Sequence, residues 1–203
     1  MKVVNLDEIE PFFMEWAGVN WKPLRAELDV RAFGTNAYSG EPGDTVVEEH
    51  TEGTGHQEMY VVVRGRATFT VGGEEIDAPA GTVVFLDEPS VKRHARAEEP
   101  RTLVLAVGNK VGEPFKVSVW EYLWRSFRAR TQDRWDEARR IVEEGLREQP
   151  ESPGLKLALA AVEAHEGKQD EARDHMREAI AANESMRQWA EGDPQLAPLL
   201  ADL

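Results

Sequence analysis

From residue 43 to about 107, apolar and polar positions alternate in short runs separated by glycine, proline or acidic residues. A half-buried strand shows each face to every second residue, so this rhythm predicts strands over 45–50, 58–64, 66–71, 74–78, 82–86, 91–97 and 102–107. The stretch 43–65, GDTVVEEHTEGTGHQEMYVVVRG, predicts a hairpin that turns at 51–55. Gly72-Gly73 predicts a second, two-residue hairpin, because both glycines tolerate positive φ. Upstream, 7–16 predicts a short helix and 27–38 the first strand or two, with Trp21-Lys22-Pro23 as punctuation. About eight short strands in succession point to a double-sheet jelly roll.

After a linker at 108–114 the period changes to that of helices, which are predicted over 118–130, 135–148, 153–166 and 169–182. A last piece, 184–203, is broken by Gly192-Asp193-Pro194. The helical text repeats: Trp135-Asp136-Glu137-Ala138-Arg139 returns 34 residues later as Gln169-Asp170-Glu171-Ala172-Arg173, and Leu123, Glu144 and Leu146 return as Leu157, Glu178 and Ile180. Small residues recur where paired helices must approach closely, at Ser126 and Ala160, Ala138 and Ala172, Gly145 and Ala179. The predicted fold class is α+β, an N-terminal jelly-roll barrel followed by an all-α repeat domain. The predicted boundaries are an extension at 1–24, a barrel at 25–112 and a helical domain at 113–203.

A chain of 203 residues holds two modest domains with room for a core in each. Its formal net charge of −14 leaves no basic patch, which argues against nucleic acid and anionic membrane surfaces as partners. With no cysteine, disulfides, thiolate nucleophiles and cysteine-ligated metals are excluded. The N-terminus is acidic within seven residues and carries no apolar signal core, so a soluble cytoplasmic protein is expected.

Candidate chemistry gathers in 43–65. Side chains two apart on a strand share a face, so His56, Glu58 and Tyr60 point one way, as do Glu48 and His50 on the strand expected to be its partner. If the two faces coincide, imidazoles and carboxylates converge, a donor set suited to Fe, Mn, Ni, Cu or Zn as the divalent ion. His50, His56 and Glu58 are the candidate ligands, with Glu48 or Glu52 in reserve; Glu48 and Tyr60 are candidate pocket-lining residues. His94 is the fourth candidate ligand. Its parity groups it with Lys92 and Arg96 while Val91, Ala95 and Ala97 take the other face, so either the lumen is polar there or His94 faces water. His165 and His175 fall on the repeat helices, where solvent or groove contacts are expected.

The stretch 43–65 resembles the first cupin motif: a glycine, histidines, a glutamate, then six residues and a glycine, the last spacing matched by Glu58 and Gly65. His50 stands for the first histidine of that motif and His56 substitutes for the second from the following strand. Residues 81–94, GTVVFLDEPSVKRH, resemble the second cupin motif of glycine, apolar strand, proline turn and histidine. The resemblance covers about 25–108 and implies a cupin barrel with a divalent metal at His50, His56, Glu58 and His94, a small-molecule ligand and a homodimer. The 34-residue period resembles tetratricopeptide repeats, with Tyr122 and Ala129, then Lys156 and Glu163, where that family has Trp and Tyr. It implies self-association or contact with a protein partner. The functional expectation is a metal- and small-molecule-binding protein. Its alternatives are a metal-dependent dioxygenase, isomerase or decarboxylase, and a metal-free scaffold.

Overall fold

Strands occupy the chain from residue 12 to 110 and long helices from 119 onward, in a computed structural model that describes residues 1–52 and 55–202. In chain order the first part carries β1 (Phe12–Met14), β2 (Val19–Lys22), α1 (Leu24–Leu28), β3 (Gly34–Gly40), β4 (Thr45–His50), β5 (His56–Arg64), β6 (Arg66–Val71), β7 (Glu74–Pro79), β8 (Val83–Leu86), β9 (Arg93–Ala97) and β10 (Thr102–Lys110). They form one sheet in the order β7-β6-β9-β4-β2-β3-β10-β5-β8, with β1 paired to β2, and this sheet curls into a nearly closed barrel. Among the described residues all pairings are antiparallel except β2 with β4. Val46, Val47, Tyr60, Val62, Phe69 and Val104 pack the interior with Ala67, Ala78, Ala95 and Ala97. The alanines matter as much as the large residues, because a narrow barrel has room for bulk on only some of its walls.

The structure corrects several local expectations. Residues 7–16 are not a helix: Pro11 falls inside that span, lacks the amide a helix interior needs, and is followed by β1, whose Phe12 lies opposite Trp21. Residues 1–24 are therefore no separate extension, since β2 sits between β3 and β4 in the sheet. The start of 27–38 is helical, because Pro23 sets the φ that opens α1 and Asp29, at φ 55, ends it; the strand begins only at Gly34. Most consequential, β4 and β5 do not form a hairpin. β4 pairs with β9 and β2, β5 pairs with β10 and β8, and three strands separate them along the hydrogen-bonded path. The long β5 matches the long β10 along its whole length, which the shorter, twice-bulged β4 cannot offer. The turn expected at 51–55 includes 53 and 54, which lie outside the described residues. The Gly72-Gly73 hairpin is present, with φ of 58° and 90°. Residues 108–110, expected as linker, extend β10.

The chain divides into two compact units, Met1–Lys116 and Val117–Leu203. The second holds α2 (Val119–Thr131), α3 (Trp135–Glu148), α4 (Pro153–His165), α5 (Gln169–Ala182), α6 (Met186–Gly192) and a 3-10 turn at Ala197–Asp202. Each of α4 and α5 begins and ends 34 residues after its counterpart, α2 or α3. The punctuation repeats too. Ser118 caps α2 by accepting from the Trp120 amide, and Ser152 caps α4 by accepting from that of Leu155. Asp133 and Gly167, at φ 57° and 81°, turn the chain left-handed after the first helix of each pair. Leu157, Ala160, Ala161, Ala172, Met176 and Ala179 form the core between α4 and α5. Among the described residues, no helix is long and apolar enough to cross a membrane.

Candidate metal centre

Three elements bring the site together at one end of the barrel. β4 delivers His50 at its last position, the segment just beyond delivers Glu52, and β5 delivers His56, Glu58 and Tyr60 at alternate positions. Because β4 and β5 lie in different walls, His50 meets Glu58 across the interior. His50 Nε2 is 3.5 Å from Glu58 Oε2 and 3.8 Å from Glu52 Oε1, and His56 Nδ1 is 3.4 Å from Glu52 Oε2. His50, Glu52 and Glu58 each offer one ligand atom, and these atoms lie within 4.8 Å of one another.

The hydrogen bonds around the cluster define its donors. His50 Nδ1 lies 2.8 Å from the Glu48 carbonyl, which can only accept, so Nδ1 carries a proton and Nε2 is the atom turned toward the carboxylates. Glu58 Oε2 accepts from the Tyr60 hydroxyl at 2.6 Å and from Arg93 Nη2 at 2.8 Å. Burial alone would push the His50 imidazole down, but Glu58 and the Glu48 carbonyl outweigh it and hold the ring above its ordinary value. Burial likewise works to raise Glu58, and the hydrogen bonds from His50 and Tyr60 with the charge of Arg93 overcome it, keeping the carboxylate below its ordinary value. Tyr60 is driven far upward, first by burial and then by the adjacent Glu58, so its hydroxyl stays protonated and acts as a donor.

These residues fit a divalent ion. Donor atoms on a metal held at about 2.1 Å sit roughly 3 to 3.5 Å apart. The 3.8 Å between His50 Nε2 and Glu52 Oε1 needs to close by only a few tenths of an ångström, and all three ligand atoms already lie within 4.8 Å of one another. One imidazole and two carboxylates, with a second imidazole beside them, make a borderline-to-hard donor set of the kind first-row divalent ions accept.

The structure brings together four of the residues singled out in the sequence, His50, His56, Glu58 and Tyr60, with Glu52 as the second carboxylate. Glu48 enters through its backbone carbonyl. Its carboxylate also lies near enough for its charge to help raise the His50 ring. His94 is not part of the cluster. Arg93, Ala95 and Ala97 are the buried residues of β9, so His94 and Arg96 point to the outer surface. The inward position that a fourth ligand would need is filled by Arg93, a side chain with no exposed area. Arg93 is the site residue the sequence reading missed. Its signal was present: it is an arginine on the otherwise apolar face of Val91, Ala95 and Ala97.

No protein-family model and no curated protein matches the chain. Solved structures do resemble it over the N-terminal half. A predicted oxalate decarboxylase from Thermotoga maritima is 23% identical, with 54% of this chain and 100% of that one covered at a TM-score of 0.44. A Cupin 2 conserved barrel domain protein from Salinispora arenicola is 20% identical over 55% and 90% of the two chains, TM-score 0.45. A sugar phosphate isomerase from a cupin superfamily, from Silicibacter pomeroyi, is 19% identical over 54% and 76%, TM-score 0.44.

Proposed function

We propose that the barrel is a cupin-like divalent-metal site, with His50 Nε2, Glu52 and Glu58 as ligands and His56 beside them, that anchors a small-molecule ligand at the barrel mouth. The observation that carries this reading is the convergence of those three side chains, from two walls that no local hairpin joins. A bound divalent ion would supply Lewis-acid polarisation of a ligand oxygen. The chain's own residues do the rest. The Glu48 carbonyl fixes the His50 tautomer, Tyr60 keeps a proton on the inner side of Glu58, and Gly108, opposite Glu58 on β10, leaves the wall beside the carboxylate without a side chain.

The test is metal content and affinity of untagged protein, measured with Co(II) or Mn(II). The wild type should take up one equivalent, and His50→Ala or Glu58→Gln should lower affinity about 100-fold or more, since loss of even an outer-shell partner commonly costs about 10- to 100-fold. Saturating metal at a hundred times its dissociation constant should add about 2.7 kcal/mol to unfolding stability. Equal metal content in wild type and a His50→Ala, Glu58→Gln double variant would overturn the reading.

The helical unit is read as two tetratricopeptide-like repeats serving self-association. Trp120 and Trp189, half-exposed, stand 5.9 Å apart at a cavity of about 850 Å³ that Leu123, Trp124 and Phe127 also line. Light scattering should give twice the chain mass, and Trp120→Ala with Trp189→Ala should return it to the monomer; a monomeric wild type would remove this role.

A further inference from the structure

Resting on the metal reading above, we infer that Arg93 is a positioning residue of the centre, its side chain holding Glu58 directly and Glu52 through one peptide oxygen while its backbone lies opposite His50. It reaches each of them by a different route. His50 is its register partner across β4 and β9. Glu58 accepts from its Nη2 at 2.8 Å. Glu52 is tied to it through one peptide oxygen: the Pro89 carbonyl accepts from Arg93 Nη1 at 3.0 Å and from the Glu52 amide at 2.9 Å. Nη1 also donates to the Val91 carbonyl at 2.9 Å, so the segment leading into β9 is wrapped around the guanidinium.

The guanidinium is suited to this because it is planar and its donors form a fixed fork, so one arm can hold backbone while the other holds a carboxylate. A lysine offers a single point of charge and cannot keep both grips. The fork also decides what Glu58 can offer. With Oε2 already accepting from Arg93 and from Tyr60 at 2.6 Å, the carboxylate's remaining capacity lies on Oε1. Glu58 thus presents one oxygen to a cation. Arg93 has no exposed side-chain area, and its Nε, buried without a hydrogen-bond partner, leaves the arms Nη1 and Nη2 as the working part.

The test compares Co(II) binding to the wild type, Arg93→Lys and Arg93→Gln, with the visible absorption of the bound ion as the readout and far-UV circular dichroism as the check on folding. Arg93→Lys should bind at least tenfold more weakly, with a visible spectrum altered in position or intensity because Glu58 is released from its fixed orientation. Arg93→Gln should do the same or more. Tyr60→Phe removes the other donor to Oε2 without touching the fork, and its spectrum should change while the affinity falls less than in Arg93→Lys. It also serves if neither Arg93 variant folds, since an unchanged spectrum in Tyr60→Phe would then overturn the assignment of Oε2. Wild-type affinity within twofold and an unchanged spectrum in a folded Arg93→Lys would overturn the inference and leave the metal reading standing. A wild type that binds no Co(II) in a His50-dependent way would overturn both.

Discussion

At the scale of single residues, Gly65 shows how tightly the barrel constrains the chain at the end of β5 away from the site. It joins β5 to β6 at φ 75°, and a Cβ placed there would lie 2.4 Å from Thr102 Oγ1 and 2.8 Å from Thr102 Cα. The hydroxyl could rotate away, but the backbone atom cannot. Thr102 itself is fully buried and accepts from Arg66 N, with the Glu99 carbonyl at 2.7 Å and the Arg66 carbonyl at 3.0 Å as the two acceptors within reach of its one hydroxyl proton. Left-handed backbone costs a non-glycine residue about 1 to 2 kcal/mol before any clash is counted. Gly65→Ala should therefore lower unfolding stability by about 2 kcal/mol or more, read from the urea midpoint at unchanged slope; a loss under about 0.5 kcal/mol would show that the turn relaxes freely. The spacing of Glu58 and Gly65 was legible in the sequence because both are fixed by one continuous strand. The assignment of β9's faces was not. Its inward set includes two alanines, whose weak apolar signal let His94 compete with Arg93 for the lumen, and only burial decides between them.

At the scale of elements, the repeat was readable nearly to the residue because helix pairs with short connections are local. The predicted spans 135–148 and 169–182 are those of α3 and α5, α2 is shifted by one residue at both ends, and α4 ends one residue sooner than expected. The β4–β5 hairpin was misread for the opposite reason. Sequence proximity favours a hairpin, whereas the pairing that forms, β5 with β10, joins segments about 45 residues apart and is encoded in no local pattern. Helix approach is also testable. Gly145 of α3 packs where a Cβ would meet Tyr122 Cγ at 2.9 Å and Leu155 side-chain carbons at 3.0 and 3.1 Å. Tyr122 and Leu155 are both fully buried, so neither can swing aside. Replacing the glycine with alanine gains about 1 kcal/mol of helix propensity, while overpacking a tight core costs about 1 to 3. Gly145→Ala should be net destabilising by about 1 kcal/mol in thermal melts followed at 222 nm. A rise in melting temperature would mean that propensity outweighs packing at this crossing.

At the scale of the whole molecule, a net charge of −14 sets two electrostatic tendencies against each other as pH falls. Protonating unpaired carboxylates relieves self-repulsion and favours the folded chain. Protonating paired ones removes attraction. Glu166, accepting at 2.7 and 2.8 Å from the Arg139 guanidinium, is the clearest of the second kind, and this bond, with help from Lys168, lowers its pKa from 4.5 to about 2. A carboxyl depressed on folding contributes its full stabilisation above the unfolded value of 4.5, and that contribution drains away as pH falls toward about 2. Both side chains are about a quarter exposed, so solvent screening limits the pair to about 1 kcal/mol. Glu166→Gln should thus be less stable than wild type by about that amount at pH 7 and equal to it near pH 2, with the gap closing between pH 4.5 and 2 in denaturant titrations. A gap that persisted at pH 2 would show that the carboxamide disturbs packing between α3 and α4, and one absent at pH 7 would show that the pair contributes nothing once screened. Because relief of repulsion acts on every unpaired carboxylate while this loss belongs to one bidentate pair, the difference between the two proteins isolates the pair even where wild-type stability itself changes little with pH.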